Sequence, residues 1–578
     1  MLTSDTSHNA VSDGRIMNNR HGLDFIIRPF KKLKKLMATP KGKTLAKFQI
    51  MAVVLLISSF GLFWNLGHYS PWEDEAVTAL GAKGIVRTGD TYAMVDGNLV
   101  AFENGAELHN LRGRITPLLP VYATALSFIC FGENMWSARF PHALAGLLAS
   151  ALLLFWASKG GIGRLLPVAI LMLGNVSWFL FFRQCRYYGL SMFFTLLTAY
   201  VYWNWNKDGK HPRQAILLAA SLLGLMFSYY IIYAGVTAAM IIDYVLWRRK
   251  ETRLQLRDWL VILIPQVFGV LYLCAYWNPM DTGFRNWEMN DVAGVLKMFL
   301  MQIRDMNRSE FYSALLMILA IVLAFANRCK WVFRAVLAMC VITLFTAVLS
   351  DQNAKTISPM PYFSVANVRF MPSIIALCLL VEAEGILMLC GKRTFACVIV
   401  AFLAAFSNFG NGGVFLPEGV RSTPYLYANE LANPPNTDPY KPTADWINKN
   451  IPPGALVYVT PNANAYPVMF LANKVTYAWQ LEPSARLQAQ FKNIPPAFFK
   501  GESLPDYIIT FGSQNQELRD LVTKYGKENT RYAQLGQLNI FSRELFRPEL
   551  FWRMFVDVPT SGVPDEFRVK IFKRDDLP

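Results

Sequence analysis

The chain has 578 residues, 53% of them hydrophobic and 17% charged, with 56 Lys and Arg against 40 Asp and Glu for a formal net charge of +16. A mean hydropathy of +0.27 excludes a soluble protein of this length, and apolar runs near the ~20 residues that cross a bilayer recur until about residue 412. The basic excess does not indicate nucleic acid, because many of these residues lie in short segments between apolar runs, where they orient a membrane protein and meet anionic headgroups.

In chain order, the first ~25 residues are polar and read as disordered. Arg28, Lys31, Lys32, Lys34, Lys35, Lys41, Lys43 and Lys47 then precede the first apolar run and place the N-terminus in the cytoplasm. That run is too long for a removable signal and lacks a small-residue cleavage pattern. Spans are predicted at about 47–66, 136–158, 165–182, 187–205, 215–232, 233–248, 258–277, 311–327, 335–350, 371–390 and 395–412, roughly eleven in all. Five basic hairpins, beginning at Lys159, Lys207, Arg248, Arg328 and Lys392, all become cytoplasmic if two crossings separate each successive pair. The shorter run from Pro117 to Phe131 is predicted to lie in, or re-enter, the outer interface. Residues 1–46 are then a cytoplasmic basic segment, 47–412 a membrane domain in the inner (cytoplasmic) membrane, and 413–578 an extracytoplasmic domain.

All eight cysteines lie in or beside apolar segments without zinc-type spacing. No Walker loop, dinucleotide fingerprint or G-x-S-x-G elbow occurs, so the energy for any reaction comes with the substrate. The unusual residues collect in the predicted outer loops. Just past the first span stands Pro71-Trp72-Glu73-Asp74-Glu75-Ala76, three carboxylates where a span end has no structural use for them. His109-Asn110-Leu111-Arg112-Gly113-Arg114 follows in the same loop. Arg183-Gln184-Cys185-Arg186-Tyr187-Tyr188 forms a second outer turn, Ser228-Tyr229-Tyr230 a third, and Asn367-Val368-Arg369-Phe370 ends a fourth. Arginines on this face run against the positive-inside bias. A carboxylate cluster opposite several arginines suits an acid/base group facing a bound phosphate, because the guanidinium fork donates bidentate hydrogen bonds to phosphate oxygens.

The order W-x-D-E-A after the first span, a basic-x-x-Pro-Leu element at Arg114 to Leu118, the run Ala138-Arg139-Phe140-Pro141-His142-Ala143-Leu144-Ala145-Gly146, and Arg183 to Leu190 resemble the GT-C superfamily of membrane glycosyltransferases. The likeness is to the branch containing protein O-mannosyltransferases and the lipid A aminoarabinose transferase, and it covers about residues 45 to 250. The resemblance implies a GT-C fold and a sugar donor linked to a polyprenyl monophosphate. It further implies transfer to a lipid, glycan or protein acceptor on the non-cytoplasmic face, with Asp74 matching the family's essential acidic position. The chain departs from the family's Lys-Pro-Pro-Leu element, having Ile115-Thr116 before Pro117-Leu118. It also has Tyr187-Tyr188-Gly189 where several relatives carry an acid, so a divalent metal is left open.

Breaking a glycosyl-phosphate bond releases a dianionic lipid phosphate that needs positive donors, and the acceptor hydroxyl must lose a proton to a base. Asp74 is assigned as base, with Glu75 orienting it or binding the sugar. Arg112, Arg114, Arg186, Arg369 and Arg183 are the phosphate candidates. Tyr187, Tyr188, Tyr229 and Tyr230, with Trp72 and His109, are candidates for a sugar or isoprenyl groove. His142 reads as structural. The tail reads as a small α/β domain with a helix from Thr443 to Asn450 and strands at Ala455–Val459, Tyr507–Phe511, Asn539–Phe541 and Phe567–Phe572. A further helix runs from Gln514 to Tyr525, and the alternation favours a partly parallel sheet. Two rival readings are a polysaccharide polymerase or ligase with a pyrophosphate-linked donor, and a transporter of lipid-linked sugars, for which internal repeats and mid-membrane charges are not evident.

Overall fold

The computed structural model describes residues 39–105, 108–114, 116–205, 212–252, 254–277, 291–308, 311–349, 368–391, 393–407, 439–484, 491, 493–511, 515–525, 531–538 and 569–575, and a few isolated positions between them. The basic segment before Thr39, the loop before Val368, the start of the tail and the strand expected at Asn539–Phe541 lie outside these residues. Chain contacts divide the protein into residues 1–53 and 54–578. The described part of the first unit is the beginning of helix α1 (Pro40–Phe63), opened by Thr39, whose hydroxyl accepts a hydrogen bond from Gly42 N–H.

In the second unit, α2 (Glu73–Thr88) leads to two small hairpins, β1–β2 (Met94–Val95, Asn98–Leu99) and β3–β4 (Leu108–His109, Arg112–Gly113). Helices α3 (Leu118–Phe131), α4 (Met135–Ser158), α5 (Ile162–Gly174), α6 (Val176–Phe182), α7 (Tyr187–Trp203) and α8 (Pro212–Ser228) follow. Then come α9 (Tyr230–Asp243), α10 (Leu256–Tyr272), α11 (Val292–Arg308), α12 (Ala314–Ala326), α13 (Lys330–Leu349), α14 (Ile375–Leu389) and α15 (Thr394–Phe406). α9 runs on through a π turn to Glu251, and α10 through another to Trp277.

Each of the eleven segments predicted to span is helical over most of its described residues, the one at 215–232 being interrupted at Tyr229. Six helices among the described residues are long and apolar enough to cross a membrane by themselves, and a seventh crossing arises if α5 and α6 form one. The chain spans a membrane several times. Side chains such as Leu126, Ile129, Phe268 and Phe325 are more than 60% exposed, which only a lipid surround tolerates in such numbers. The single predicted span at 165–182 is two helices bent by 65°. Asn175 makes the break: it ends α5, and its side chain accepts a hydrogen bond from Trp178 N–H at 2.8 Å to cap α6.

Two further features depart from the sequence reading. The acidic cluster is the first turn of α2 rather than a loop, where the positive end of the helix dipole stabilises carboxylates. The amphipathic α11 had no counterpart among the predicted elements. At the helix ends opposite the acidic turn in the predicted topology, Arg334 of α13 forks onto Asp243 at 2.6 and 2.7 Å and reaches Glu251 at 3.0 Å, while Tyr202 donates to Asp243 at 2.8 Å. This buried network ties α7, α9 and α13 together.

The tail holds α16 (Tyr440–Asn450), β5 (Leu456–Thr460), α17 (Ala465–Leu471), β6 (Thr476–Tyr477), β7 (Tyr507–Phe511), α18 (Asn515–Tyr525), β8 (Tyr532–Leu538) and β9 (Val569–Arg574). The sheet order is β6-β5-β7-β9-β8, parallel across the first three strands and antiparallel across the last three. The tail shares one apolar core with α2 and α3. Ala76, Leu80 and Val121 pack with Tyr440, Val457, Tyr466 and Ile509. Asn98 donates to Val475 O and accepts from Tyr477 N–H, so hydrogen bonds register the loop against β6.

Candidate active site

Two buried arginines fix the backbone from which the site is built. Arg183 donates to the carbonyls of Gly61, Leu62, Trp64 and Asn65 at 2.8–3.2 Å, satisfying the orphan acceptors at the end of α1. Arg139, on α4, donates to the carbonyls of Leu66, Tyr69 and Ser70 and forks onto Glu75 at 3.0 and 2.7 Å. Glu75 is fully buried and also accepts Cys185 N–H at 2.7 Å. The chain entering α2 and the turn entering α7 are thereby locked to α4. Glu75, expected beside the chemistry, has both oxygens engaged in this clamp. Arg183, expected at the phosphate, is a helix cap.

The lock sets Asp74 between two arginines. Asp74 Oδ2 lies 3.4 Å from Arg186 Nη2 and 3.3 Å from Arg369 Nη1, and its side chain is about 10% exposed. Arg186 also donates to Asp74 O at 3.3 Å and Thr78 Oγ1 at 3.2 Å. Its guanidinium lies over the Tyr187 ring at 4.8 Å, while that of Arg369 lies 5.2 Å from Phe370 and 5.8 Å from Trp72. Tyr187 continues the wall to Tyr188 and Tyr229, with ring centroids 4.7 and 4.5 Å away, and Tyr229 reaches Tyr230 and Phe370. Arg369 Nε and Trp72 Nε1 are buried there and make no hydrogen bond among the described residues. Buried donors without partners are costly, and here one belongs to the guanidinium that pairs with Asp74 and the other to the ring beside that guanidinium.

Two of the arginines read from sequence as phosphate candidates, Arg112 and Arg114, stand aside. Arg114 forks onto Asp90 at 2.8 and 3.0 Å and stacks on Trp277 at 4.5 Å, and Arg112 also meets Asp90, at 3.1 Å. Both charges are answered by a carboxylate more than twenty residues away in sequence, which the pattern of the loop did not reveal. Arg114 still flanks the site, because Trp277 donates to Thr116 O and Arg186 reaches Thr116 Oγ1. His109 lies on β3, with its side chain outside the described residues. His142 is fully buried within α4, its Nε2 3.2 Å from Thr124 Oγ1.

A carboxylate facing two guanidiniums is a poor seat for a dication, and among the described residues no three His, Cys, Asp or Glu side chains are grouped to hold one. The third acid of the turn is Glu73, half-buried at the first position of α2. Desolvation, reinforced by Asp74 and opposed by Arg369, raises its carboxyl to about 7. No role for Glu73 was read from the sequence, where it is one of three acids in a row.

No family model matches the chain, and no curated protein matches it in sequence. Among solved structures, ArnT from Cupriavidus metallidurans in the apo state superposes with a TM-score of 0.54 at 13% identity, over 92% of this chain and 98% of that one. The same protein bound to undecaprenyl phosphate gives 0.49 at 12% identity over 92% and 98%. The Archaeoglobus fulgidus oligosaccharyltransferase in complex with Zn and sulfate gives 0.43 at 10% identity over 84% and 72%. On the first of these likenesses, which extends over nearly the whole of both chains, the protein has the GT-C fold.

Proposed function

We propose that the protein is a membrane glycosyltransferase that moves a sugar from a polyprenyl-monophosphate carrier to a lipid, glycan or protein acceptor at the outer membrane face. The observation that carries this reading is the Asp74 carboxylate held between Arg186 and Arg369 beneath an aromatic wall. Ion pairing with Asp74 keeps both guanidiniums in place before substrate arrives, and their remaining N–H groups, with Trp72 Nε1, meet the charge that develops on the departing phosphate. The fold's likeness to ArnT, solved with undecaprenyl phosphate, agrees with such a carrier.

An apolar groove of about 620 Å³ between α8 and α10, lined by Leu223, Phe227, Phe268, Tyr272 and Tyr276, suits the isoprenyl chain. Tyr276 of its lining precedes Trp277 in the chain, and Trp277 is tied through Thr116 to Arg186. Asp74, expected from sequence to be the base, is in this reading the anchor of the two arginines, and the acidic turn as a whole supplies the base.

Arg186→Ala should leave the protein folded and weaken donor binding by roughly 1.5–3 kcal/mol, about 10- to 150-fold in affinity. Arg186→Lys should recover only part, because an ammonium cannot make the forked contact. Donor affinity measured by microscale thermophoresis in detergent checks both, and wild-type affinity in the two variants would remove Arg186 from the phosphate.

The same reading requires the tail to lie on the side from which the acceptor comes. Lys449 is exposed on α16. Lys449→Cys, in a background with Cys130→Ser and Cys274→Ser, should react with an impermeant maleimide on intact spheroplasts. Reaction only after permeabilisation would invert the orientation and exclude an outer-face reaction.

A further inference from the structure

The geometry points to a phospholipid site between α9 and α10, with one acyl chain of an anionic lipid in an apolar space and its headgroup on the cations at the helix ends. The site lies apart from the acidic turn and stands whether or not the transfer reaction does. α9 and α10 each pack on α8 but hardly on one another, which leaves a furrow open to the surrounding lipid. The furrow contains a space of about 130 Å³, with Leu218 and Leu222 of α8 in its lining. Ile241 and Leu263, also in the lining, are 55% and 49% exposed, so the space opens sideways into the bilayer. The groove given above to the isoprenyl chain shares no residue with it.

Size and surface select the occupant. Gln266 turns its amide onto Ala219 O at 3.0 Å, and the wall facing the space is almost wholly apolar. An apolar cavity of about 150 Å³ holds a ligand the size of benzene, whereas pockets for drug-sized ligands and cofactors run to roughly 300–1,000 Å³. The space therefore suits a length of hydrocarbon entering from the membrane and not a whole soluble molecule.

The polar end is built by the π turn Tyr244–Arg248, in which Arg249 N–H donates to Tyr244 O. The wider turn interrupts the regular ladder of α9, as π turns at functional sites often do. Tyr244 meets Trp259 of α10 edge to face, with ring centroids 5.2 Å apart. With Tyr202 and Trp205 they line the space at this end as a band of aromatics, the kind that marks a membrane–water interface. Just beyond it Arg249, Lys250 and Arg257 are exposed, while Arg248 is buried and donates to Trp205 O at 2.8 Å. The two acids nearby are engaged: Glu251 meets Arg334 at 3.0 Å, and buried Asp258 accepts Gln255 N–H. The free charge is thus cationic, as an anionic headgroup requires. Thr252, 3% exposed and in the lining, has a buried hydroxyl with no partner among the described residues, and a lipid ester or phosphate oxygen can accept its hydrogen.

The test is native mass spectrometry of the purified protein in mild detergent, titrated with palmitoyl-oleoyl phosphatidylglycerol or with the phosphatidylcholine of the same chains. The wild type should bind phosphatidylglycerol about 10-fold more tightly. Replacing the exposed Arg249, Lys250 and Arg257 together by Gln leaves the packed helices untouched and should abolish the preference while weak binding of both lipids remains. Leu263→Trp, at the half-exposed lip, should fill the space and weaken both lipids by about 10-fold, with donor affinity unchanged. Equal binding of the two lipids by the wild type, or unchanged phosphatidylglycerol binding in Leu263→Trp, overturns the site and leaves only the ordinary lipid shell. Weakened donor binding in Leu263→Trp with phosphatidylglycerol retained would give the space to the isoprenyl chain instead. If Leu263→Trp does not fold, the triple variant decides alone, and a preference that survives in it overturns the proposal.

Discussion

Asp74→Asn is expected to lower turnover by about 10²–10³-fold, the range found when one preorganised transition-state donor is lost. The amide is nearly isosteric with the carboxylate but carries no charge, so Arg186 and Arg369, now 3.4 and 3.3 Å from Asp74 Oδ2, lose the anion between them and repel one another. The loss belongs to kcat, because the arginines matter most when charge builds on the phosphate. The donor KM should change far less, since removing a competing anion offsets poorer positioning in the ground state. Steady-state kinetics with saturating acceptor separates the two parameters. A variant with near-normal kcat would mean that the arginines are held without Asp74, and the geometry argued for the site would have no bearing on rate.

The second large effect is on stability. Arg139→Met should destabilise the protein by about 3–5 kcal/mol, because it takes the paired guanidinium away from a buried carboxylate. Arg139 and Glu75 are both within 1% of complete burial, and the carbonyls of Leu66, Tyr69 and Ser70 lose their donor as well. Adding Glu75→Leu to Arg139→Met should recover part of the loss by removing the orphaned charge. Thermal unfolding in detergent, followed by tryptophan fluorescence, is expected to order the proteins as wild type, double variant, then single variant. Equal stability of wild type and Arg139→Met would show that the clamp does not hold the acidic turn.

Apolar periodicity carried most of the helical layout, because a segment that must satisfy its backbone in lipid has few alternatives. It failed at Asn175, a polar residue within an apolar run that caps a new helix, and at α11, whose sidedness gives no long apolar stretch. In the tail, Tyr507–Phe511 was placed to the residue, whereas β8, mixed in composition and with no fully buried residue, left no alternating signal. For the site, the residue types were legible but their pairing was not. Asp90 claims Arg112 and Arg114 from 22 and 24 residues away, and Glu75 meets Arg139 across 64. Arg369 reaches Asp74 across 295, a contact that no local pattern encodes. Those separations explain why the sequence did not single out Arg369 among the candidate arginines, although it sits beside the carboxylate.

The most direct measurement of the central claim uses detergent-solubilised whole membranes from cells lacking the protein, incubated with purified wild type or Asp74→Asn and followed by mass spectrometry of the lipid-linked sugars. With the wild type, one polyprenyl-monophosphate sugar should disappear while free polyprenyl phosphate rises in equal amount, and the variant should leave both nearly unchanged. Consumption of a pyrophosphate-linked donor with release of polyprenyl pyrophosphate, or no change in any lipid-linked sugar with the wild type, would contradict it.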